Sequence, residues 1–191
     1  MEKSRCPWCL SFEEYVKYHD TEWGVPVHDD KIHFEFLILE GAQAGLSWST
    51  ILKKREGYRN AFADFEPTKV AKFTESKLEK LLLDTSIVRN RLKVYAAVNN
   101  AKHFLKIQKE FGSFDKYIWS FVGNMPVVGT RKTMKDVPAT TKESDALSKD
   151  LIQRGFKFVG STVIYAHMQA CGLVNDHLET CFRFKETRKL I

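Results

Sequence analysis

One ten-residue stretch, Leu39-Glu40-Gly41-Ala42-Gln43-Ala44-Gly45-Leu46-Ser47-Trp48, combines more chemistries than any other part of the sequence. A single acid, Glu40, closes the apolar-periodic run Phe34, Leu37, Ile38. The small residues after it allow close backbone approach and positive φ, because Gly carries no Cβ. Leu46 offers an apolar wedge and Trp48 an aromatic face. An acid, a permissive turn, a wedge and a ring together suit a flat, polar-edged, cationic ring as ligand. The same residues also fit a plain helix end, with Glu40 in solvent, Gly45 at C′ and Leu46 and Trp48 in the core.

A second constellation is the turn Gly155-Phe156-Lys157-Phe158-Val159-Gly160 between two helical patterns. Two glycines five apart with apolar residues between them fit a helix–hairpin–helix turn. Its backbone N–H groups and the next helix N-terminus can hold a phosphate, with Lys157 meeting the backbone charge. An ordinary helix–helix corner ending in a Schellman glycine has the same pattern.

The third is a set of metal-ligand types at the two chain ends. His177 and Cys181 are four apart, so on a helix they share one face, and Cys6 and His19 lie near the other end. A closed Cys2His2 set makes structural zinc, because no coordination position is left for a catalytic water. Cys6 and Cys9 also form a C-x-x-C pair, which fits either the N-terminal half of that site or a redox couple. Asp176, beside His177, is placed to orient that imidazole from outside the metal shell. His28, His33, His103 and His167 have no recognisable partner.

These residues need elements to position them, and the pattern throughout is helical. Ser11 is expected to cap a helix to Asp20, and Asp29 or Asp30 begins one that reaches Glu40, with Ile32, Phe36 and Leu39 spaced by three and four. Ser47 or Ser49 caps a third, running to Phe62 or Phe65 through the cluster Lys53, Lys54, Arg55. Pro67 and Thr74 open two more. A basic patch, Arg89, Arg91, Lys93, leads into a long helix ended by Gly112, and Ser113 starts a short aromatic one. Residues 122–141 read as a long crossing between lobes rather than a linker, because Val127, Val128 and Val137 stay apolar. Thr141 caps the helix before the hairpin; another spans 161–171, and His177 and Cys181 sit on a last helical turn or two. With no convincing period-2 window, the chain reads as all-α, two-lobed and a single domain over 1–191.

Length and charge narrow the partners. The 191 residues are 43% apolar and 13% aromatic, a globular composition, and fourteen Phe with four Trp leave rings to face a ligand. The net charge of +6 is interspersed along the chain, which makes nucleic acid the first partner to consider. No segment resembles a signal peptide or a membrane span, so a cytoplasmic protein is expected, its four cysteines thiols or metal ligands rather than disulfides.

Six segments belong together: Tyr18-His19-Asp20, Glu22-Trp23-Gly24-Val25-Pro26, the stretch 39–48, Asp145-Ala146-Leu147-Ser148-Lys149, Arg154-Gly155-Phe156-Lys157-Phe158-Val159-Gly160 and Met168-Gln169-Ala170-Cys171-Gly172-Leu173-Val174-Asn175-Asp176-His177. In these the sequence resembles the bacterial 3-methyladenine DNA glycosylase I family. Residues 65–140 match mainly in spacing and in Trp119-Ser120-Phe121-Val122. The resemblance implies an atypical helix–hairpin–helix enzyme, with that motif at about 141–172, excising 3-methyladenine from double-stranded alkylated DNA as a monomer and without lyase activity. It implies one structural zinc on Cys6, His19, His177 and Cys181, leaving Cys9 outside. It implies a base pocket of Glu40, Tyr18 and Trp48 lined by Trp8 and Trp23, with Glu40 as the catalytic candidate. Gly45 and Leu46 would fill the gap left by a flipped nucleotide, and Gly155, Lys157 and Gly160 would meet DNA. The family lacks the catalytic Asp of its superfamily, which argues against that role for Asp176. A non-catalytic zinc-stapled DNA-binding module and a thiol enzyme using Cys6 and Cys9 are the alternatives.

Overall fold

The computed structural model describes residues 3–190. Its order is α1 Glu13–Thr21, α2 Asp30–Gln43, α3 Trp48–Lys53, α4 Arg55–Ala61, α5 Pro67–Val70, α6 Glu75–Leu83, α7 Arg91–Phe111, α8 Phe114–Ser120, β1 Val127–Val128, α9 Lys142–Gln153, α10 Ser161–Ala170, β2 Val174–Asn175 and α11 Phe182–Thr187. The chain is mostly helical. The two strands pair in parallel, Val127 with Val174 and Val128 with Asn175. That two-residue ladder ties the start of the long crossing to the segment carrying His177, a pairing too short to show as periodicity.

The helices start where short polar side chains satisfy first-turn amides. Asp29, Ser47, Thr74, Asn90, Ser113 and Thr141 each accept a backbone N–H two or three residues ahead. Ser11 does not cap α1: Phe12 holds the N-cap position in extended backbone, with no side-chain cap.

α2 is the central helix. Every residue from His33 to Ala42 is buried, so α2 is covered on all sides, by α3, α7, α8 and α10 among others. The expected apolar stripe is therefore only part of its buried surface, and Ile32 is exposed. The expected third helix is two helices: Lys54, at φ −102° and ψ 1°, interrupts it. The break turns Arg55 inward to Glu35 and Glu22, both at 2.7 Å, so the Lys53, Lys54, Arg55 cluster is not one basic face. The Arg89, Arg91, Lys93 patch is also partly internal. Lys93 donates to the carbonyls of Ala42 and Ala44, at 2.8 and 2.5 Å, where a cation complements the C-terminus of α2.

His177 and Cys181 lie on no helix. His177 follows β2 in irregular chain, and Cys181 is the N-cap of α11. A turn brings them together, its Cys181 N–H bonded to the Leu178 carbonyl at 2.8 Å.

Candidate active site

α2 carries two buried acids in different electrical surroundings. Glu35 is neutralised by Arg55 at 2.7 Å and Arg59 at 3.1 Å. Glu40, five residues on, has no hydrogen-bond or ion-pair partner among the described residues, and burial pushes its pKa up to about 8. Buried carboxyl groups are normally hydrogen-bonded or paired, so an unpartnered one held in its neutral form by burial is a candidate for contact with a ligand.

Glu40 lines a cavity of about 200 Å³. Tyr18, Trp48, Trp8 and Trp23 line it too, so all five expected base-pocket side chains meet in one place. The aromatic wall is continuous: Tyr18 lies 5.4 Å from Trp48 and Trp8 lies 4.9 Å from Trp23, centroid to centroid. Tyr15, Gln43, Met134, Val137, Ala166, Gln169 and Asp176 complete it. For two of these the sequence held a signal: Tyr15 precedes Tyr18, and Gln43 follows Glu40, by three residues on one helix, which places them on the same face. Met134 and Val137 come from the long crossing and had none.

Gly45 and Leu46 border a second hollow of about 180 Å³, which shares Glu40, Gln43 and Ala166 with the first. Gly45 has φ +78° and nothing near the position of a Cβ, so its requirement is positive φ rather than close approach. Leu46 projects from this turn, 43% exposed. The turn at residues 155–160 is fastened to α7, where Asn100 accepts the Lys157 N–H and donates to the Lys157 carbonyl, both at 2.8 Å. The Lys157 amide is thereby committed. Gly160 leaves the first turn of α10 without a side-chain cap.

Cys6, His19, His177 and Cys181 form one buried cluster. The Cys181 sulfur lies 3.4 Å from His19 Nε2 and 3.7 Å from His177 Nδ1, and the Cys6 sulfur 3.8 Å from the same Nδ1. Ligands sharing one tetrahedral ion at zinc bond lengths stand roughly 3.3–3.8 Å apart, so the donor set fits such an ion. Each imidazole uses its other nitrogen elsewhere: His19 Nδ1 on Asp20 at 2.8 Å, His177 Nε2 on the Trp23 carbonyl at 3.1 Å. Such outer contacts fix the tautomers that a metal requires. Cys9 stands outside the cluster, its thiol donating to the Cys6 carbonyl, and burial pushes its pKa up to about 11.

Asp176 does not orient His177. It accepts from Tyr165 Oη, Gln169 Nε2 and Arg131 Nε instead. Gly24 is needed beside the cluster, because it has φ +77° and a Cβ there would stand 2.9 Å from His177 Nε2. Gly24→Ala is expected to destabilise the protein by about 1–3 kcal/mol, read as a fall in thermal midpoint.

The sequence matches the methyladenine glycosylase family model over residues 8–184. The chain belongs to that family. It is 50% identical to DNA-3-methyladenine glycosylase 1 of Escherichia coli, covering 93% of this chain and 95% of the relative. It is 47% identical to DNA-3-methyladenine glycosylase of Haemophilus influenzae, covering 93% and 96%. Its fold superposes with a TM-score of 0.90 on 3-methyladenine DNA glycosylase I from Staphylococcus aureus, a structure described as the basis of 3-methyladenine recognition, at 42% identity and covering 93% and 95%. In this glycosylase family member, the cavity of Glu40 and the cysteine–histidine cluster adjoin through Trp23, which lines the first and bonds to the second.

Proposed function

We infer that this chain is a monofunctional DNA glycosylase that hydrolyses the N-glycosidic bond of 3-methyladenine in double-stranded alkylated DNA. The observation that carries the reading is the buried, unpartnered Glu40 under an aromatic wall, in a chain of this family.

Adenine alkylated at N3 within DNA is cationic, so its bond to C1′ is already weak and the leaving group needs no proton. The lesion is flipped from the stack at a cost of a few kcal/mol. Its ring lies against Trp48 and Tyr18, where cation–π attraction contributes ~0.5–2 kcal/mol. Glu40 opposes the charge and accepts from the adenine edge, a charge-assisted contact. As the C1′–N9 bond breaks, its electron pair moves to N9 and cancels the positive charge of the base. Water adds at C1′ and loses a proton, leaving an abasic sugar. Asp176, held by Arg131, Tyr165 and Gln169, plays no part as base. Neutral adenine is disfavoured because it offers Glu40 no positive charge.

Cys6, His19, His177 and Cys181 would hold one zinc ion, whose contribution is structural. Leu46, carried on the Gly45 turn, fills the space vacated by the flipped nucleotide, while residues 155–160 and the start of α10 hold the DNA backbone in helix–hairpin–helix fashion. The enzyme acts as a single domain and a monomer. A purely DNA-binding module would have no use for an aromatic-walled cavity with an unpaired acid.

Incubation with N-methylated duplex DNA, with released bases separated by chromatography, tests this. Free 3-methyladenine and alkali-labile abasic sites are expected; intact DNA with tight binding would favour the binding module. Leu46→Ala is expected to lower excision from duplex about tenfold while leaving affinity for the free base unchanged, since only the duplex has a gap to fill.

A further inference from the structure

The pair His33 and His167 stands apart from every other histidine in the fold. Both imidazoles are fully buried, and His33 Nδ1 and both ring nitrogens of His167 have no polar partner among the described residues. His33 Nε2 makes one long contact, 3.5 Å to Asp115 Oδ1, which leaves Nδ1 of that ring as the free lone-pair position. The two rings stack at 5.7 Å, joining α2 to α10. Cys171, one helical turn beyond His167 and also fully buried, completes a group whose ligand atoms all lie within 4.8 Å of one another. Cys171 holds this place because its N–H bonds to the His167 carbonyl at 2.9 Å.

A neutral imidazole carries one N–H and one lone-pair nitrogen, and a lone-pair nitrogen buried without a donor calls for something that accepts the pair. We propose that His33, His167 and Cys171 form a second metal site, distinct from the four-residue cluster, for a thiophilic d10 cation, zinc(II) or copper(I). Two imidazoles and a thiolate suit both ions. Loading forms one metal–sulfur and two metal–nitrogen bonds and sends the Cys171 proton to solvent. Copper(I) leaves this three-ligand set electrically neutral, whereas zinc(II) leaves one positive charge. Closing from 4.8 Å to the roughly 3.3–3.8 Å of ligands on one ion takes side-chain rotation, since α2 and α10 are already in contact. The ion would clamp together the two helices that carry Glu40 and Gln169.

The test counts ions. Protein is equilibrated with zinc(II), or under reducing conditions with copper(I), dialysed, and examined by native mass spectrometry. Wild type is expected to hold two ions per chain in at least one arm, and the arm that succeeds identifies the ion. His33→Leu and His167→Phe are each expected to hold one ion fewer. These apolar replacements enter surroundings that are already dry, and circular dichroism checks that they fold. A wild-type count that never exceeds one in either arm overturns the proposal without reference to any variant. So does a second ion that both variants retain.

Discussion

Removing the zinc proposed for the Cys6, His19, His177, Cys181 cluster, by chelation or by Cys181→Ser, is expected to abolish base excision at temperatures where most of the core is still folded. The cluster is buried and joins residues 6 and 19 to residues 177 and 181. Taking one ligand leaves the others as unsatisfied buried groups, a loss of about 3–5 kcal/mol by analogy with broken buried pairs. For a chain of this length that corresponds to a fall of about 6–20 °C in thermal midpoint. Activity falls first because the cavity wall hangs on the same residues. The Trp23 carbonyl accepts from His177, and the Trp8 ring lies 5.3 Å from that of His19 and 4.9 Å from that of Trp23. Tryptophan fluorescence and base release, followed together during chelation, should change in step. Full excision by chelated protein carrying no metal would remove the cluster from the mechanism.

Glu40→Gln is expected to act oppositely on stability and on activity. The Glu40 pKa is raised by burial from 4.5 to about 8. Between those values the native state keeps a proton that the unfolded state has lost, so wild-type stability falls as pH rises through that window and levels off above it. A displacement of about 3.5 at about 1.4 kcal/mol per pH unit gives a loss near 5 kcal/mol, order of magnitude only. Gln carries no such charge, so the variant should be the more stable protein, by a margin that widens from pH 5 to pH 8. Excision should move the other way. A cationic base draws the carboxyl into its ionised form, so wild-type kcat/KM should rise with pH toward about 8, and the variant profile should lack that limb. Losing a charge-assisted contact of about 1.5–3 kcal/mol lowers kcat/KM about 10- to 100-fold. A variant with wild-type stability across this range, or with an unchanged pH profile, would show that Glu40 does not sit uncompensated against the base.

What could be read from the sequence was local. Ser47, Thr74, Ser113 and Thr141 cap where expected because a cap depends on a few neighbouring residues. The all-round burial of α2 depends on what packs against it, which periodicity does not encode. For the same reason nothing in Glu35 or Glu40 alone foretells that two arginines meet the first and none the second. The motif residues Tyr18, Trp8, Trp23, Glu40 and Trp48 were legible through the family resemblance, and they share one cavity. Spacing misled at His177 and Cys181: a separation of four suggested a helix face, whereas a turn before α11 brings them together. His33 and His167, 134 positions apart by their numbers, become neighbours only when α2 meets α10.

The crossing between α8 and α9 leaves one side of the cavity open to redesign. Met134 and Val137 reach it from a single 3-10 turn, stapled by Thr133 and Asp136 and moored upstream through β1. Neither residue sits on a long helix, and neither is tied to the cysteine–histidine cluster as Trp8 and Trp23 are, through the His19 ring and His177 Nε2. On the proposed reading, trimming or exchanging this panel would change the bulk of the alkyl group admitted while leaving the charge recognition proposed for Glu40 on α2 in place.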